Sequence, residues 1–498
     1  MRKINRGSGN TPETPSIKYN FIMNVILKVS NIIFPLVTFP YVSRNLGVGG
    51  IGKVTFASSV VAYFVLVSSL GIPTYGTRIC AQCRTDRRKL SKVTQELFFI
   101  SSLSACIAYM AFLAVLFLTP RLCGDMGLML VSSLSIALTG VGMEWFYQAI
   151  EQYDYIVCRN LLFKLLSVVL IFLLVKKPED FLVYALITII GTVGSNILNM
   201  IRVRKYISLS FLGEYDLKKH LIPIFSFFLL TIAATVYNYL DTTMLGFMKD
   251  DETVGYYTVA IKIKTILVSV ITSLGTVLLP RISYYMEKEM RDEARRTIKN
   301  SLEFVVLLAL PLVIFFSVEA ENTILLLSGR DYLPAVRPMV IIMPTVLLIG
   351  LSNVTGIQIL VPVNKEKYTV LSTIVGAVIN LIINYTLIPV YGAGGAALGT
   401  VVAEFIVLCV QLPFVRQEVR EAVRWKDYFK VVLCSAAAVS VLLALRKKWE
   451  GMPIMPQFIL SAAVFWGIYG IAVLAVREEL VWTQLHSMVN WRGKSTRK

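Results

Sequence analysis

Apolar runs of about twenty residues recur along almost the whole of this 498-residue chain, from Phe21 to Val476. A helix of that length matches the hydrocarbon core of a bilayer, about 30 Å at 1.5 Å per residue. Inside lipid, every backbone N–H and C=O must find its partner within the protein, so a chain of such runs folds as α-helices. Only 16% of residues are charged, against about 25% in soluble domains, and mean hydropathy is +0.68. The short alternating segments of a β-barrel do not occur in the sequence. The predicted fold class is all-α, a polytopic membrane protein.

The runs predict fourteen spans, at about 20–42, 54–76, 94–119, 127–148, 155–175, 181–201, 221–243, 254–279, 302–318, 335–362, 369–390, 395–415, 429–445 and 457–476. The 335–362 run carries Pro338 and Pro344, which predicts a kink or tilt. Lys and Arg in the connections set orientation. One alternating set of tails and loops (1–19, 77–93, 149–154, 202–220, 280–301, 363–368, 416–428 and 477–498) holds 32 basic residues, and the opposite set holds 10. The first set is expected on the cytoplasmic side, with both termini inside. The polar opening MRKINRGSGNTPETPS reads as a disordered tail rather than a cleaved signal. The net charge of +18 is thereby mainly a topology signal, and no nucleic-acid partner is expected. No loop is long enough for a soluble catalytic domain, so the chain is expected to be a transporter and not an enzyme.

Two stretches repeat. LGVGGIGKVTFASSVVAYFVLVSSLG begins at Leu46, and LGFMKDDETVGYYTVAIKIKTILVSVITSLG begins at Leu245. Both open on Leu-Gly, reach a glycine before the run (Gly52, Gly255) and close on Ser-Leu-Gly. They are spans two and eight, so the repeating unit is six spans, an even number that keeps both halves in the same orientation. The expected organisation is a cytoplasmic tail (1–18), an N-lobe (19–201), a linker (202–220), a C-lobe (221–415), two extra helices (416–476) and a second cytoplasmic tail (477–498). Two lobes of this kind predict a transporter with a central cleft. A third echo, YGAGGAALGTVVAEFIV from Tyr391, leads into span twelve, and its small residues allow close helix packing.

Charges inside spans are expensive and mark function or pairing. They are Lys28, Glu144, Arg159, Lys164, Asp241, Lys262, Lys264, Arg337 and Glu404, with Arg44 and Arg78 flanking the first two spans. Bases dominate, and a low-dielectric cavity lined by them focuses a positive potential on an anion. The expected anion-binding set is Lys28, Lys164, Lys262, Lys264, Arg44, Arg78 and Arg159. Lys262 and Lys264 are about 200° apart on their helix, and Lys262 shares its face with Thr258, Thr265 and Ser269, which makes it the better anion contact. Snorkelling to the interface is the competing reading for Arg159, Lys164, Lys28 and Arg337. Asp241, Glu404 and Glu144 read either as proton or cation coupling sites or as structural partners of bases. Tyr237, Tyr239, Tyr256, Tyr257, Trp145 and Tyr147 read as sugar-stacking rings or as an interfacial belt.

Seven cysteines and two histidines complete the inventory. Cys80 and Cys83 form a Cys-x-x-Cys with no second pair, too few ligands for zinc. His220 and His486 fall outside the apolar runs. No metal site, no cofactor and no histidine relay are expected, although coupling to a proton or sodium gradient stays open.

Three blocks carry a family resemblance. FPYVSRNLGVGGIGKVTFASSVVAYFVLVSSLGIPTYGTR (39–78), MEWFYQAIEQYDYIVCRNLLFKLLSVVLIF (143–172) and NYLDTTMLGFMKDDETVGYYTVAIKI (238–263) resemble Wzx-type polysaccharide flippases of the multidrug/oligosaccharidyl-lipid/polysaccharide exporter superfamily. The chain has Val48-Gly49 where the family often has Pro-Glu, and Ile79 where it often has an acid, so no role transfers there. The resemblance implies a flippase for oligosaccharide repeat units on undecaprenyl pyrophosphate in the bacterial cytoplasmic (inner) membrane, working by alternating access for O-antigen or capsule synthesis. It implies as partners membrane lipids and the polymerase and chain-length proteins of the same pathway. A peptidoglycan-precursor flippase and a multidrug/cation antiporter on the same scaffold are the alternatives.

Overall fold

The computed structural model describes residues 17–476 apart from 212, 424 and 450, and also residue 482. Among the described residues there are helices and no strands. The helices up to the middle of the chain are α1 (Ile17–Ser69), α2 (Ile72–Gln82), α3 (Arg87–Leu118), α4 (Pro120–Cys123), α5 (Met126–Gly140), α6 (Glu144–Ala149), α7 (Tyr153–Leu174), α8 (Phe181–Ile189), α9 (Asn196–Val203) and α10 (Lys218–Met248). They are followed by α11 (Asp251–Glu287), α12 (Arg291–Val318), α13 (Ala320–Leu327), α14 (Val336–Ile342), α15 (Pro344–Asn353), α16 (Glu366–Tyr391), α17 (Ala393–Gln411), α18 (Arg416–Ala422), α19 (Trp425–Arg446) and α20 (Ile454–Ala475).

Twelve helical segments are long and apolar enough to cross a membrane, and the pair Arg330–Ile342 and Pro344–Leu360 makes a thirteenth, bent by 41°. The bend falls at Pro344, whose ring cannot accept the preceding helical turn. Spans one and two are fused in α1, whose helical run breaks at Gly47 (φ 68°). That left-handed backbone is open to glycine at no steric cost. The fourteen predicted spans are therefore all present as helix. Their outward faces keep large apolar residues fully displayed, with Leu118 82% and Ile222 80% exposed, as lipid permits and water does not.

Helix starts follow side-chain chemistry. Asp86 accepts the backbone N–H of Arg88 (3.0 Å) and Lys89 (3.1 Å) at the head of α3, and Asp250 accepts that of Thr253 (2.7 Å) at the head of α11. These N–H groups hold both carboxyls below the usual carboxylate range, chiefly Lys89 for Asp86 and Thr253 for Asp250.

The chain forms two compact units. Unit 1 takes the chain up to Leu46 together with Phe56–Tyr239, and unit 2 takes Gly47–Thr55 together with the chain from Leu240 onward. The core of unit 1 packs Ile72, Tyr75, Leu97, Phe146, Tyr147 and Ile156. In unit 2 the last two spans pack on α12: the Phe315 and Phe465 rings lie 5.2 Å apart, and the Tyr469 hydroxyl donates to the Leu307 carbonyl at 2.6 Å. The two repeat-related glycines, Gly52 and Gly255, both belong to unit 2 and meet there. A Cβ on Gly52 would stand 1.7 Å from the Asp251 carbonyl oxygen, and one on Gly255 would stand 2.3 Å from that of Val48. Neither backbone can approach the other with a side chain present.

Candidate functional site

Helix α7 carries a polar row through unit 1. Arg159 is buried, and its Nη2 donates to Glu144 Oε2 at 2.6 Å and to Asn160 Oδ1 at 3.1 Å. Its Nη1 donates to Asn199 Oδ1. Asn199 in turn donates to the Gly142 carbonyl at 2.6 Å, while its own carbonyl accepts from the Tyr147 hydroxyl at 2.8 Å. The buried guanidinium is thus committed to a partly exposed carboxylate at the end of span four and does not snorkel. The aromatic run of that block builds the wall: the Tyr155 ring lies under both Arg159 (5.6 Å) and Arg202 (3.9 Å).

Five residues further along α7, about 1.4 turns, lies Lys164, half-buried. Its ammonium donates to Ser30 Oγ at 3.0 Å and to Asn31 Oδ1, and stands 6.0 Å from the Phe34 ring. Both oxygens are neutral. Among the described residues no carboxylate lies within bonding distance of this ammonium.

A second polar chain in unit 1 closes on Glu96, which is fully buried. It accepts from His220 Nε2 (2.9 Å), Lys219 Nζ (2.9 Å) and the Asp216 backbone N–H (2.9 Å). The Tyr75 hydroxyl meets His220 Nδ1 at 2.8 Å. This network ties the start of α10 to α2 and α3. It was missed in the sequence because Glu96 sits two residues inside its apolar run and His220 reads as part of a polar linker.

Unit 2 holds the other buried acid site. Asp241 on α10 is 7% exposed. Its Oδ2 accepts from Thr400 Oγ1 (2.5 Å) and from the Tyr257 hydroxyl, and its Oδ1 accepts from Asn384 Nδ2 (2.6 Å). Asn384 Nδ2 also donates to Asn380 Oδ1 at 3.0 Å. Four helices converge here: α10, α11, α16 and α17. The Asn384 Oδ1 atom is buried without a partner, so a cluster rich in oxygen has an acceptor unsatisfied. The signal available in sequence was the pair Asn380 and Asn384, one turn apart in an apolar run, together with the small-residue stretch around Thr400. Glu404, one turn beyond Thr400 on α17, is also buried.

The other expected residues are placed separately. Lys262 and Lys264 on α11 are both half-buried, and Lys264 makes no hydrogen bond or ion pair among the described residues. Arg44 and Arg78 are exposed, as is Arg337, whose guanidinium lies 5.9 Å from the Tyr391 ring. The Lys28 side chain lies outside the described residues. Among the described residues there is no group of three His, Cys, Asp or Glu able to hold a metal.

With this geometry in place, the comparisons decide the family. The family model described as polysaccharide biosynthesis protein matches residues 17–286. The chain belongs to the polysaccharide biosynthesis protein family. A second model, MatE, matches residues 227–386. A relative described as a putative O-antigen transporter, from Escherichia coli (strain K12), is 24% identical over 405 residues, covering 80% of this chain and 97% of its own length. The solved structure of a lipid II flippase, MurJ, in an inward closed conformation superposes with a TM-score of 0.74 at 15% identity, over 93% of this chain and all of that one. An inward-facing multidrug resistance transporter of the MATE family superposes with a TM-score of 0.58 at 12% identity, over 80% of this chain and 98% of its own. The family member described here is therefore an all-α, multi-span protein with the fold of those transporters.

Proposed function

We propose that this chain is a flippase that carries oligosaccharide repeat units linked to undecaprenyl pyrophosphate across the bacterial cytoplasmic membrane, for surface polysaccharide synthesis. The family match over residues 17–286 carries the reading, and the O-antigen transporter relative supports the cargo class. The excess of bases in one set of loops supports cytoplasmic termini. Polymerase and chain-length proteins of the same pathway are the expected partners on the far side.

The residues supply binding and not bond chemistry. The Lys164 ammonium is bonded by the neutral oxygens of Ser30 and Asn31, and such a cation in low dielectric attracts a pyrophosphate oxygen. Within unit 2, Lys262 and Lys264 are the proposed anion contacts. The polyprenyl chain stays in lipid, so only the sugar and phosphate need a polar path. The protein passes between a state open to the cytoplasm and a state open to the periplasm. Coupling is assigned to Asp241. The cluster is rich in oxygen, with one carboxylate, Thr400 Oγ1 and the unpartnered Asn384 Oδ1, the ligand type a hard cation takes, and sodium is the proposed ion.

In cells lacking the native gene, the intact chain should restore surface polysaccharide. Lys164→Gln and Lys262→Ala should each abolish it at unchanged protein level. Restoration by both variants would remove the anion site from these residues. Rescue of peptidoglycan synthesis in place of surface polysaccharide would move the cargo to lipid II.

A further inference from the structure

Three spans of unit 2 end on one cavity of about 700 Å³. It is lined from the start of α12 (Arg295), the residue before α16 (Lys365), the turn after α17 (Phe414) and α18 (Arg416, Glu418, Arg420, Glu421). Arg295, Lys365 and α18 belong to the base-rich set of loops, and Phe414 closes the span before α18. The Phe414 ring is stacked on Tyr368 at 3.7 Å and 17°, which fixes one wall.

The charges are unevenly matched. Arg295 is answered by Glu421: its Nη1 stands 3.5 Å from Oε2, and its Nη2 donates to the Glu421 carbonyl at 3.2 Å. Gln417 also donates to Glu421 at 3.5 Å. The side chains of Lys365, Arg416 and Arg420 make no hydrogen bond or ion pair among the described residues. Against these three cations the cavity sets Glu418 alone, so it keeps a net positive charge. Arginine forks match phosphate oxygens two at a time, and a lysine adds a third point charge.

The surroundings name the source of the phosphate. Next to the lining residues Pro413 and Phe414 stands Leu412, 37% exposed, and Val361, four residues before Lys365, is 37% exposed. The cavity lies at the ends of apolar spans long enough to cross a bilayer, so its rim is greasy on one side and cationic on the other. That is the profile of a lipid with an acyl chain and an anionic headgroup. We propose that this cavity holds the phosphate of an anionic phospholipid from the surrounding leaflet, at a site separate from the cargo path.

The test counts lipids bound to the full-length purified protein by native mass spectrometry, with phosphatidylglycerol, phosphatidylcholine and inorganic pyrophosphate as probes. The wild-type protein should retain one phosphatidylglycerol at concentrations where phosphatidylcholine is lost. The triple variant Lys365→Gln, Arg416→Gln, Arg420→Gln should bind it on the order of a hundredfold more weakly, at roughly fivefold per charge. All three residues are exposed, so the fold should be unchanged. Arg420→Lys should retain most of the binding. A control that removes three exposed charges outside the cavity, Lys288→Gln, Arg291→Gln, Arg296→Gln, should bind as the wild type does. Equal binding by the cavity variant, equal loss in the control, or displacement of the lipid by free pyrophosphate would each overturn the assignment.

Discussion

Arg159 and Lys164 stand five residues apart on one helix and do different work. Arg159 is answered by a carboxylate and two amide oxygens, so it holds unit 1 together. Removing Arg159 leaves the Asn160 and Asn199 side-chain oxygens without this donor and leaves Glu144, 36% exposed, to water, at a cost of about 1–3 kcal/mol. Arg159→Gln should lower the thermal unfolding temperature and protein level sharply, and Arg159→Met combined with Glu144→Gln should recover much of the loss. An unfolding temperature unchanged in Arg159→Gln would show that the pair contributes nothing. Asp241 gives the opposite expectation. Asparagine can still engage Thr400 and Tyr257, so Asp241→Asn should fold normally while the sodium dependence of transport disappears. A sodium dependence retained by that variant would move coupling elsewhere.

At the scale of elements, two glycines that the sequence repeat pairs lie in close backbone approach. Leu46–Gly71 and Leu245–Gly275 read as equivalents, and the structure sets Gly52 and Gly255 against one another's backbone. Overpacking such a contact costs about 1–3 kcal/mol. Gly52→Val should therefore cut yield and melting temperature, whereas Gly467→Ala on α20, with nothing within 4 Å of the added Cβ, should leave stability equal or raise it by up to about 1 kcal/mol. Helix positions were legible because lipid imposes a single long period on every span, and the bend at Pro344 followed from the missing N–H. Buried partners were less legible. Glu96 with His220, and Asp241 with Asn384 and Thr400, are joined across more than a hundred residues. Hydropathy records where a polar residue stands and carries nothing about which distant helix answers it. For that reason Arg159 and Lys164 looked alike in sequence, as two bases in one apolar run, and separate only once Glu144 and Ser30 are in place.

For the whole molecule, orientation and cargo are the claims that matter. In a chain freed of its seven cysteines, Lys177→Cys should react with a membrane-impermeant maleimide in intact cells, and Lys288→Cys should react only after permeabilisation. The reverse pattern would invert the topology drawn from the loops. The central claim is that the molecule moves a lipid-linked oligosaccharide. Its most direct test is reconstitution of the purified chain in vesicles containing fluorescent undecaprenyl-pyrophosphate-linked repeat units in both leaflets, with an impermeant quencher outside. The wild-type protein should render the inner-leaflet pool quenchable at a rate that rises with a sodium gradient and falls at least about tenfold in Lys164→Gln, the loss expected when a desolvated charge contact worth roughly 1.4 kcal/mol or more is removed. Quenching no faster than in protein-free vesicles would contradict the account.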